Sequence, residues 1–406
     1  GVWNVAANRS ATFDGIVSGY AGLTLNGAGS VRLSAANTYT GDTTVTAGTL
    51  IANHNSALGT GRLVLNGGNL SNTATCSLGN EVSLSANAAV SVGASLSLTL
   101  DGPVSGMGAL TKTGTGTLIL SNANAYTGST TVSAGTLAIA DTSALLSTSS
   151  LSLAGGTVLQ PRLDGVVVSA PITVGSSGTS ITISAPTNAP GAGVVSTLTL
   201  RSVMSGAGDV TFLSSTNLNS LNTVYLGAPS TYTGSTLINT TASTDGTTTN
   251  GEEQIVVKLG VHNALPVATV LTIDGGNGSG SGRFAELNLN GFNQQLAGLT
   301  NLARSGAKGV LRIQRVVNSS VSAPATLTIH NSSDFNYSGI LGGSGNGSVS
   351  AAAMPGSSNG NNFGLTKNGA GIFTLSGANT YTGTTNVIGG TLTLGAANVL
   401  ANTSNI

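Results

Sequence analysis

Short runs along most of the chain alternate leucine, valine or isoleucine with serine or threonine. Clear examples are Leu63-Val64-Leu65, Leu96-Ser97-Leu98-Thr99-Leu100 and Leu198-Thr199-Leu200. An apolar side chain at every second position is typical of a β-strand that buries one face. Good helix formers such as Glu, Lys and Met are scarce, and no long segment carries an apolar stripe with the period of a helix. The pattern therefore predicts an all-β fold.

A six-residue line occurs four times along the chain. Its first copy is Ala36-Asn37-Thr38-Tyr39-Thr40-Gly41, and the later copies surround Tyr126, Tyr232 and Tyr381. The four tyrosines are 87, 106 and 149 residues apart. Unequal spacing fits a solenoid with loop insertions better than a propeller, whose blades are similar units in a closed ring. The residues that define the repeated turn are Tyr39, Gly41, Tyr126, Gly128, Tyr232, Gly234, Tyr381 and Gly383.

These signals predict a right-handed parallel β-helix (a β-solenoid) with loop insertions and about 20 to 25 residues in each coil. Its strands pair in parallel with equivalent strands of the next coil. The turn glycines are expected to allow positive φ. We expect one solenoid over residues 1–406, with repeat modules at about 22–109, 110–209, 210–363 and an incomplete 364–406. The predicted insertions are 240–253, 274–282 and 342–362, which have loop compositions.

Composition removes several classes of function. The chain has 13 Lys and Arg and 13 Asp and Glu, so 6% of residues are charged, where about 25% is usual for a globular domain. A net charge of zero predicts no nucleic-acid partner and no attraction to anionic lipid. No apolar run approaches the roughly 18 residues of a membrane span. The single cysteine, Cys76, cannot form an internal disulfide and is expected to be buried and inert.

One small group of basic residues contains Arg304, Lys308, Arg312 and Arg315. We interpret the group as a solvated face or turn, with a phosphate or acidic-sugar contact as the alternative.

The longer phrase around each tyrosine resembles a known family. Leu365-Thr366-Lys367 through Tyr381 to Gly390-Thr391-Leu392-Thr393-Leu394 is similar to the autotransporter-associated β-strand repeat, and Lys112 stands at the position that matches Lys367. The second and fourth copies match strongly, the first well and the third loosely. The resemblance implies a secreted, β-helical surface protein, adhesive or structural, on a bacterium with an outer membrane. It supplies no catalytic residues.

We predict no enzyme activity and no catalytic, cofactor or metal site, because most of the acidic residues are isolated beside glycines. Asp141 and Asp164 with Arg162 are the alternative for an enzyme, since residues one coil apart can meet. A glycine-rich run from Asp274 to Gly280 is interpreted as a turn and not as a calcium loop. The repeated tyrosines are expected to pack over the coil corner, with exposed aromatic platforms for sugars as the alternative.

Both extremities of the repeat array are apolar and have no capping helix. The fourth copy is cut short, and uncapped solenoid coils expose strand edges and core. We therefore predict that copies of the chain stack head to tail into an open filament; a longer passenger, of which this chain is a fragment, is the alternative. Host or environmental glycans or surfaces are further candidate partners. The candidate self-association residues are Val2, Trp3, Val5, Phe13, Leu392, Leu394, Val399 and Leu400.

Three classes of function follow: a structural or adhesive surface fibre, a glycan-binding module and a polysaccharide-degrading β-helix. A coil face that stacks Asp, Glu and Arg would favour the enzyme, and an exposed aromatic row would favour glycan binding.

Overall fold

The computed structural model of the chain describes residues 1–176, 180–184, 195–214, 220–240, 253–275, 283–302, 312–343, 361–397 and 399–400. These residues fall into two units, Gly1–Gly175 and Ser176–Ile406, and each is described by itself. All regular secondary structure in the described residues is β-strand, and all the strand pairs below are parallel. The prediction of an all-β parallel β-helix is confirmed.

Unit 1 consists of short strands of two to five residues. In chain order they are β1 Val2–Trp3, β2 Ser10–Phe13, β3 Leu23–Leu25, β4 Ser30–Leu33, β5 Thr43–Val45, β6 Thr49–Ala52, β7 Leu63–Leu65, β8 Asn69–Asn72, β9 Cys76–Leu78, β10 Val82–Leu84, β11 Ala88–Val92, β12 Ser97–Leu100, β13 Val104–Gly106, β14 Leu110–Thr113, β15 Thr117–Leu120, β16 Thr130–Val132, β17 Thr136–Ile139, β18 Leu151–Leu153, β19 Val158–Pro161, β20 Val166–Val168 and β21 Ile172–Val174.

Each coil of unit 1 contributes strands to stacked parallel sheets. The first sheet runs β1-β3-β5-β7-β10-β13, the second β2-β4-β6-β8-β11-β14-β16-β18-β21 and the third β9-β12-β15-β17-β19. Thr24 pairs with Thr44, and Thr44 with Val64, so one coil takes 20 residues at this point. That period lies at the lower end of the predicted range.

The core of unit 1 is a set of aliphatic columns that run from coil to coil. Leu25, Val45, Leu65 and Leu84 are register partners in successive strands, and all four side chains are buried. Alternation along each strand points every second side chain into the coil, as the sequence pattern indicated. Burying one such side chain contributes about 1.5 to 3 kcal/mol, so the columns hold the stack together.

Unit 2 follows the same plan with longer strands. They are β22 Ser180–Ser184, β23 Val195–Leu200, β24 Met204–Gly206, β25 Asp209–Leu213, β26 Ser220–Leu226, β27 Thr236–Asn239, β28 Glu253–Leu259, β29 Val270–Asp274, β30 Arg283–Asn288, β31 Gln294–Leu296, β32 Gly298–Asn301, β33 Arg312–Val317, β34 Ala325–His330, β35 Phe335–Tyr337, β36 Ile340–Leu341, β37 Phe363–Asn368, β38 Ile372–Leu375, β39 Thr385–Val387 and β40 Thr391–Leu394.

The sheets of unit 2 run β22-β25-β27-β29-β32, β23-β26-β28-β30-β33-β36, β31-β34-β37-β39 and β35-β38-β40. Its coils are longer than those of unit 1, because Tyr225 pairs with Lys258, 33 residues on, and Thr328 pairs with Thr366. The extra length lies between strands. Most of the predicted insertions 240–253, 274–282 and 342–362 lies outside the described residues.

Glycine has two different roles in the repeated phrase. Gly135 has φ +69° in the turn between β16 and β17, a left-handed conformation that glycine adopts at little cost. Gly128 of the Tyr-Thr-Gly line has no positive φ. A Cβ there would lie 2.1 Å from the carbonyl oxygen of Gly108 in the preceding coil. The expectation of positive φ is therefore right for Gly135 and wrong for Gly128, where the backbones of adjacent coils lie too close for a side chain.

We expect Gly128→Ala to destabilise the chain by about 3 kcal/mol, because the new methyl group overpacks a site between two backbones. Gly79→Ala is the matched control, since a Cβ at Gly79 meets nothing within 4 Å. Thermal unfolding followed by circular dichroism measures both. Equal melting temperatures for the two variants would contradict the close-approach role of Gly128.

Candidate functional site

The tyrosine of the repeated line is inside its coil in all four copies. Each ring is buried, and each hydroxyl oxygen lies 2.6 to 2.7 Å from the hydroxyl oxygen of a threonine four residues later. Burial raises the pKa of Tyr126 to about 12, which keeps its hydroxyl protonated. The alternative of exposed aromatic platforms for sugars is wrong. The pairs are Tyr39 with Thr43, Tyr126 with Thr130, Tyr232 with Thr236, and Tyr381 with Thr385.

In the second copy the tyrosine pair continues into the next coil. Thr130 Oγ1 lies 2.9 Å from Thr148 Oγ1, which donates to the carbonyl oxygen of Gly128 at 2.8 Å. The third copy has the same arrangement, in which Thr269 Oγ1 lies 2.9 Å from Thr236 Oγ1 and donates to the Gly234 carbonyl at 3.0 Å. The third copy therefore keeps the turn geometry although its sequence matches the repeat only loosely. The role of Thr130 and Thr236 was not predicted from the sequence. Their constant position four residues after the tyrosine was the available signal.

An asparagine two residues before the tyrosine joins three successive coils. Asn124 Oδ1 accepts from the backbone N–H of Val104 in the coil before, and its Nδ2 donates to the carbonyl of Ala144 in the coil after. Asn37 makes the equivalent pair of bonds. Asn379 Oδ1 accepts from Leu341 N–H, but its buried Nδ2 has no partner among the described residues.

Two lysine side chains, those of Lys112 and Lys367, are fully buried inside the coil. Lys112 Nζ donates to the carbonyl oxygens of Thr113, Gly114 and Ala134 at 2.8, 2.7 and 3.1 Å. Lys367 makes the same three bonds to the equivalent carbonyls of the fourth copy. Burial lowers the pKa of Lys112 to about 8, and the pKa of Lys367 is also lowered. In the second copy these three hydrogen bonds connect the turn at Thr113 and Gly114 to Ala134 in the following coil.

The role of these lysines was missed, although their inward direction could be inferred. Lys112 follows Leu110 at the second position, so strand alternation points both side chains to the same face. The first copy has the buried Leu25 at the matching position, which hid the polar role.

The isolated acidic residues bind backbone groups of their own turn or of the next coil. Asp141 accepts from the backbone N–H of Ser143 at 2.7 Å, and Asp209 accepts from the backbone N–H of Ser235 at 2.7 Å. Among the described residues no three His, Cys, Asp or Glu side chains form a group that could hold a metal ion. Cys76 is buried, and burial raises the pKa of its thiol to about 11.

A buried ion pair lies on the longest sheet of unit 2. Arg315 Nε is 2.8 Å from Glu286 Oε2, and its guanidinium lies 4.3 Å from the centroid of the Phe284 ring. Asn288 Nδ2 donates to the other carboxylate oxygen of Glu286. The interpretation of the basic group as a solvated face is therefore wrong for Arg315. Arg304, Lys308 and most of the run from Asp274 to Gly280 lie outside the described residues.

Apolar side chains are exposed at two coil faces, one in each unit. Val2 is 65% exposed, and Trp3 and Phe13 are half-buried and stacked, with ring centroids 4.5 Å apart. Leu394 is 46% exposed. Val5, Leu392 and Leu400 are half-buried.

Two residues change the expected composition of the second face. Val399 is buried, and its carbonyl accepts from the Asn379 N–H, so it belongs to the interior of its coil. Val387 at the end of β39 was missed and is 48% exposed.

The sequence profile of the passenger-associated-transport-repeat family matches residues 23–52, 110–139 and 365–394. The chain carries three passenger-associated-transport repeats. This confirms the expected resemblance in these three segments, and the repeats indicate a passenger-type surface protein. Passenger repeats imply a secreted or cell-surface bacterial protein with a structural or surface role. No curated protein and no solved structure matches the chain.

The matched segments have the same layout in the structure. Each passenger repeat begins at an inward leucine and contains the buried tyrosine and its threonine. The segment around Tyr232 is outside the matched residues, yet it forms the same tyrosine turn. Within the described ranges there is no helix with the length and apolarity needed to cross a bilayer.

We expect Tyr126→Phe to lower the free energy of unfolding by about 1 to 2 kcal/mol, because it removes one buried hydrogen bond of the Thr130 and Thr148 network. Tyr20→Phe is the control, since Tyr20 is 92% exposed and its hydroxyl is free to contact water. Denaturant unfolding measures the difference. A Tyr126→Phe variant with the same free energy of unfolding as the natural chain would show that only ring packing matters at this turn.

We expect Lys112→Met to lower the free energy of unfolding by about 2 to 3 kcal/mol near pH 7, because buried carbonyls lose their hydrogen-bond donors. The difference in free energy of unfolding between the natural chain and the variant should depend on pH. Between the folded pKa of about 8 and the ordinary lysine value of about 10.4, the unfolded chain holds a proton that the folded chain has lost. The natural chain therefore gains stability relative to the variant as pH rises through this window.

Unfolding midpoints of both proteins at pH 7, 8, 9 and 10 check the lysine prediction. The difference between the two cancels the titration of the tyrosines they share. A difference in stability between the two proteins that stays constant or falls from pH 8 to pH 10 would contradict the lysine prediction.

Proposed function

We propose that this chain is an extracellular structural and adhesive protein on the outer surface of a bacterium with an outer membrane, and that its copies stack head to tail into a fibre. The passenger repeats support export and a surface role. The polar groups of the repeats bind neighbouring coils, as the contacts of Lys112, of Asn124 and of Thr130 with Thr148 show. A repeat with this chemistry builds a scaffold.

One observation supports the proposed fibre. Inward positions are exposed at the face formed by β39 and β40, while the equivalent positions of the other copies are not. Val387 is 48% exposed and its counterparts Val45 and Val132 are fully buried; Leu394 is 46% exposed and its counterpart Ile139 is fully buried. An apolar core position in contact with water favours association with a surface that covers it.

The other two functions have less support. An exposed aromatic row would favour glycan binding, but the repeated tyrosines are buried. A face with stacked acidic and basic residues would favour an enzyme, but Glu286 and Arg315 pair with each other, and Asn288 binds the same carboxylate.

We expect the purified chain to form filaments as its concentration rises, measured by sedimentation velocity and electron microscopy. Leu394→Asp should keep the chain monomeric, because it places an unpaired charge in an apolar contact. Val321→Asp is the matched control, since Val321 is 72% exposed and lies between β33 and β34, outside β39 and β40, and it should assemble normally. Monomers alone at high concentration of the natural chain would contradict the fibre.

A further inference from the structure

A cleft of about 270 Å³ opens on the side of unit 2, on the outer face of the sheet that contains β25, β27 and β29. Thr211, Leu237 and Thr272 are register partners in these three strands and line the cleft. Asp209 and Leu302 line it as well, and Leu302 is 42% exposed. The described part of the cleft therefore combines one carboxylate, two threonine hydroxyl groups and two leucine side chains.

The carboxylate of Asp209 uses one of its two oxygens to bind the next coil. Its Oδ1 accepts hydrogen bonds from the backbone N–H and from the hydroxyl group of Ser235, both at 2.7 Å. Among the residues that the structure describes, none donates to Oδ2. Asp209 is half-buried and Ser235 is exposed. One oxygen thus fixes the carboxylate in place, and the other is available to a donor in the cleft.

Unit 1 contains the same local arrangement with a longer side chain in the next coil. Asp42 Oδ1 accepts from the backbone N–H of Arg62 at 3.0 Å, and Asp42 Oδ2 lies 2.9 Å from Nη2 of Arg62. The backbone bonds are equivalent at the two places. Thr43 N–H donates to the Arg62 carbonyl at 2.8 Å, and Val210 N–H donates to the Ser235 carbonyl at 2.9 Å. Ser235 therefore has the position in unit 2 that Arg62 has in unit 1.

This comparison indicates which chemical group fits Oδ2 of Asp209. In unit 1 the equivalent oxygen binds a guanidinium, and serine is too short to supply one. A guanidinium has five N–H donors in one plane, so a group that binds Oδ2 has further donors for the hydroxyl oxygens of Thr211 and Thr272. The methylene groups of an arginine side chain pack well on apolar surface, which Leu237 and Leu302 supply.

We propose that this cleft binds an arginine side chain of a partner protein, with the guanidinium on Asp209 Oδ2 and the methylene groups against Leu237 and Leu302. The inference rests on the proposed adhesive role and names the chemistry of one adhesion contact, and it does not depend on the fibre. A single ion pair at a half-exposed carboxylate is weak. Several such contacts between two surfaces raise the overall affinity.

Ligand-observed NMR titration with N-acetyl-arginine amide tests the cleft. N-acetyl-citrulline amide has the same shape without the charge, and glucose tests a glycan ligand. Only the arginine probe should bind, and about 0.5 M sodium chloride should weaken its binding, because salt screens an exposed ion pair. Asp209→Asn should raise the dissociation constant of the arginine probe about fivefold or more, since the amide keeps an acceptor for Ser235 but carries no charge.

Ser235→Arg tests the same site in the opposite way. It supplies a guanidinium from within the chain for Oδ2 of Asp209, as in unit 1, and should abolish binding of the arginine probe. Asp101→Asn is the matched control, because both carboxylate oxygens of Asp101 accept from serine hydroxyl groups, those of Ser77 and Ser121. This variant should bind the probe as the natural chain does. Melting temperatures from circular dichroism show whether each variant is folded.

The outcomes separate the cleft from the fibre. Binding of the arginine probe that is weakened in Asp209→Asn, lost in Ser235→Arg and kept in Asp101→Asn supports the proposal. Equal binding of the arginine and citrulline probes, unchanged binding in Asp209→Asn, or no binding to the natural chain overturns it. Binding of glucose and not of the arginine probe also overturns it and assigns the cleft to glycans. Filament formation is measured separately by sedimentation velocity, so neither result decides the other.

Discussion

The fold depends on one constraint, which is that each coil stacks on the previous one at the distance of a strand pair with equivalent residues in register. Parallel hydrogen bonding sets that distance at about 4.8 Å. Any group that points inward is then surrounded by its own coil and two neighbours, and solvent cannot reach it. Aliphatic residues satisfy this directly, as the Leu25, Val45 and Leu65 column does. Where backbones approach more closely, as at Gly128, only glycine fits.

The same constraint explains why the buried polar residues recur within the chain. A polar side chain inside a coil is stable only when other buried groups of the stack bind it. Asn124 and Lys112 bind backbone carbonyls of the next coil, and Tyr126 binds Thr130 of its own coil, which contacts Thr148 of the next. In an exported chain with one cysteine these bonds and the aliphatic columns have the role that disulfides have in many secreted domains.

Stacking also explains why the coil faces differ from the sides. The sides present hydroxyl and amide side chains, and their backbone groups are bound within the sheets. At a coil face, side chains of the kind that other coils bury are partly exposed, as those of Trp3 and Leu394 are. The exposed apolar surface available for association therefore lies at such faces.

The sequence by itself determined the fold class, the coil period of unit 1 and the repeat family, because alternation, glycine placement and repetition are local properties. Only the tertiary structure decided what the repeated polar residues do. Tyr126 was compatible with a packed corner or a sugar platform, and Lys112 had no assigned role. Arg315 was expected at a solvated face and is buried against Glu286. The roles of Lys112 and Arg315 depend on partners in another coil, 22 and 29 residues away. The pair of Tyr126 and Thr130 reaches the next coil through Thr148. The positions of these partners follow from the stacking and not from the local pattern.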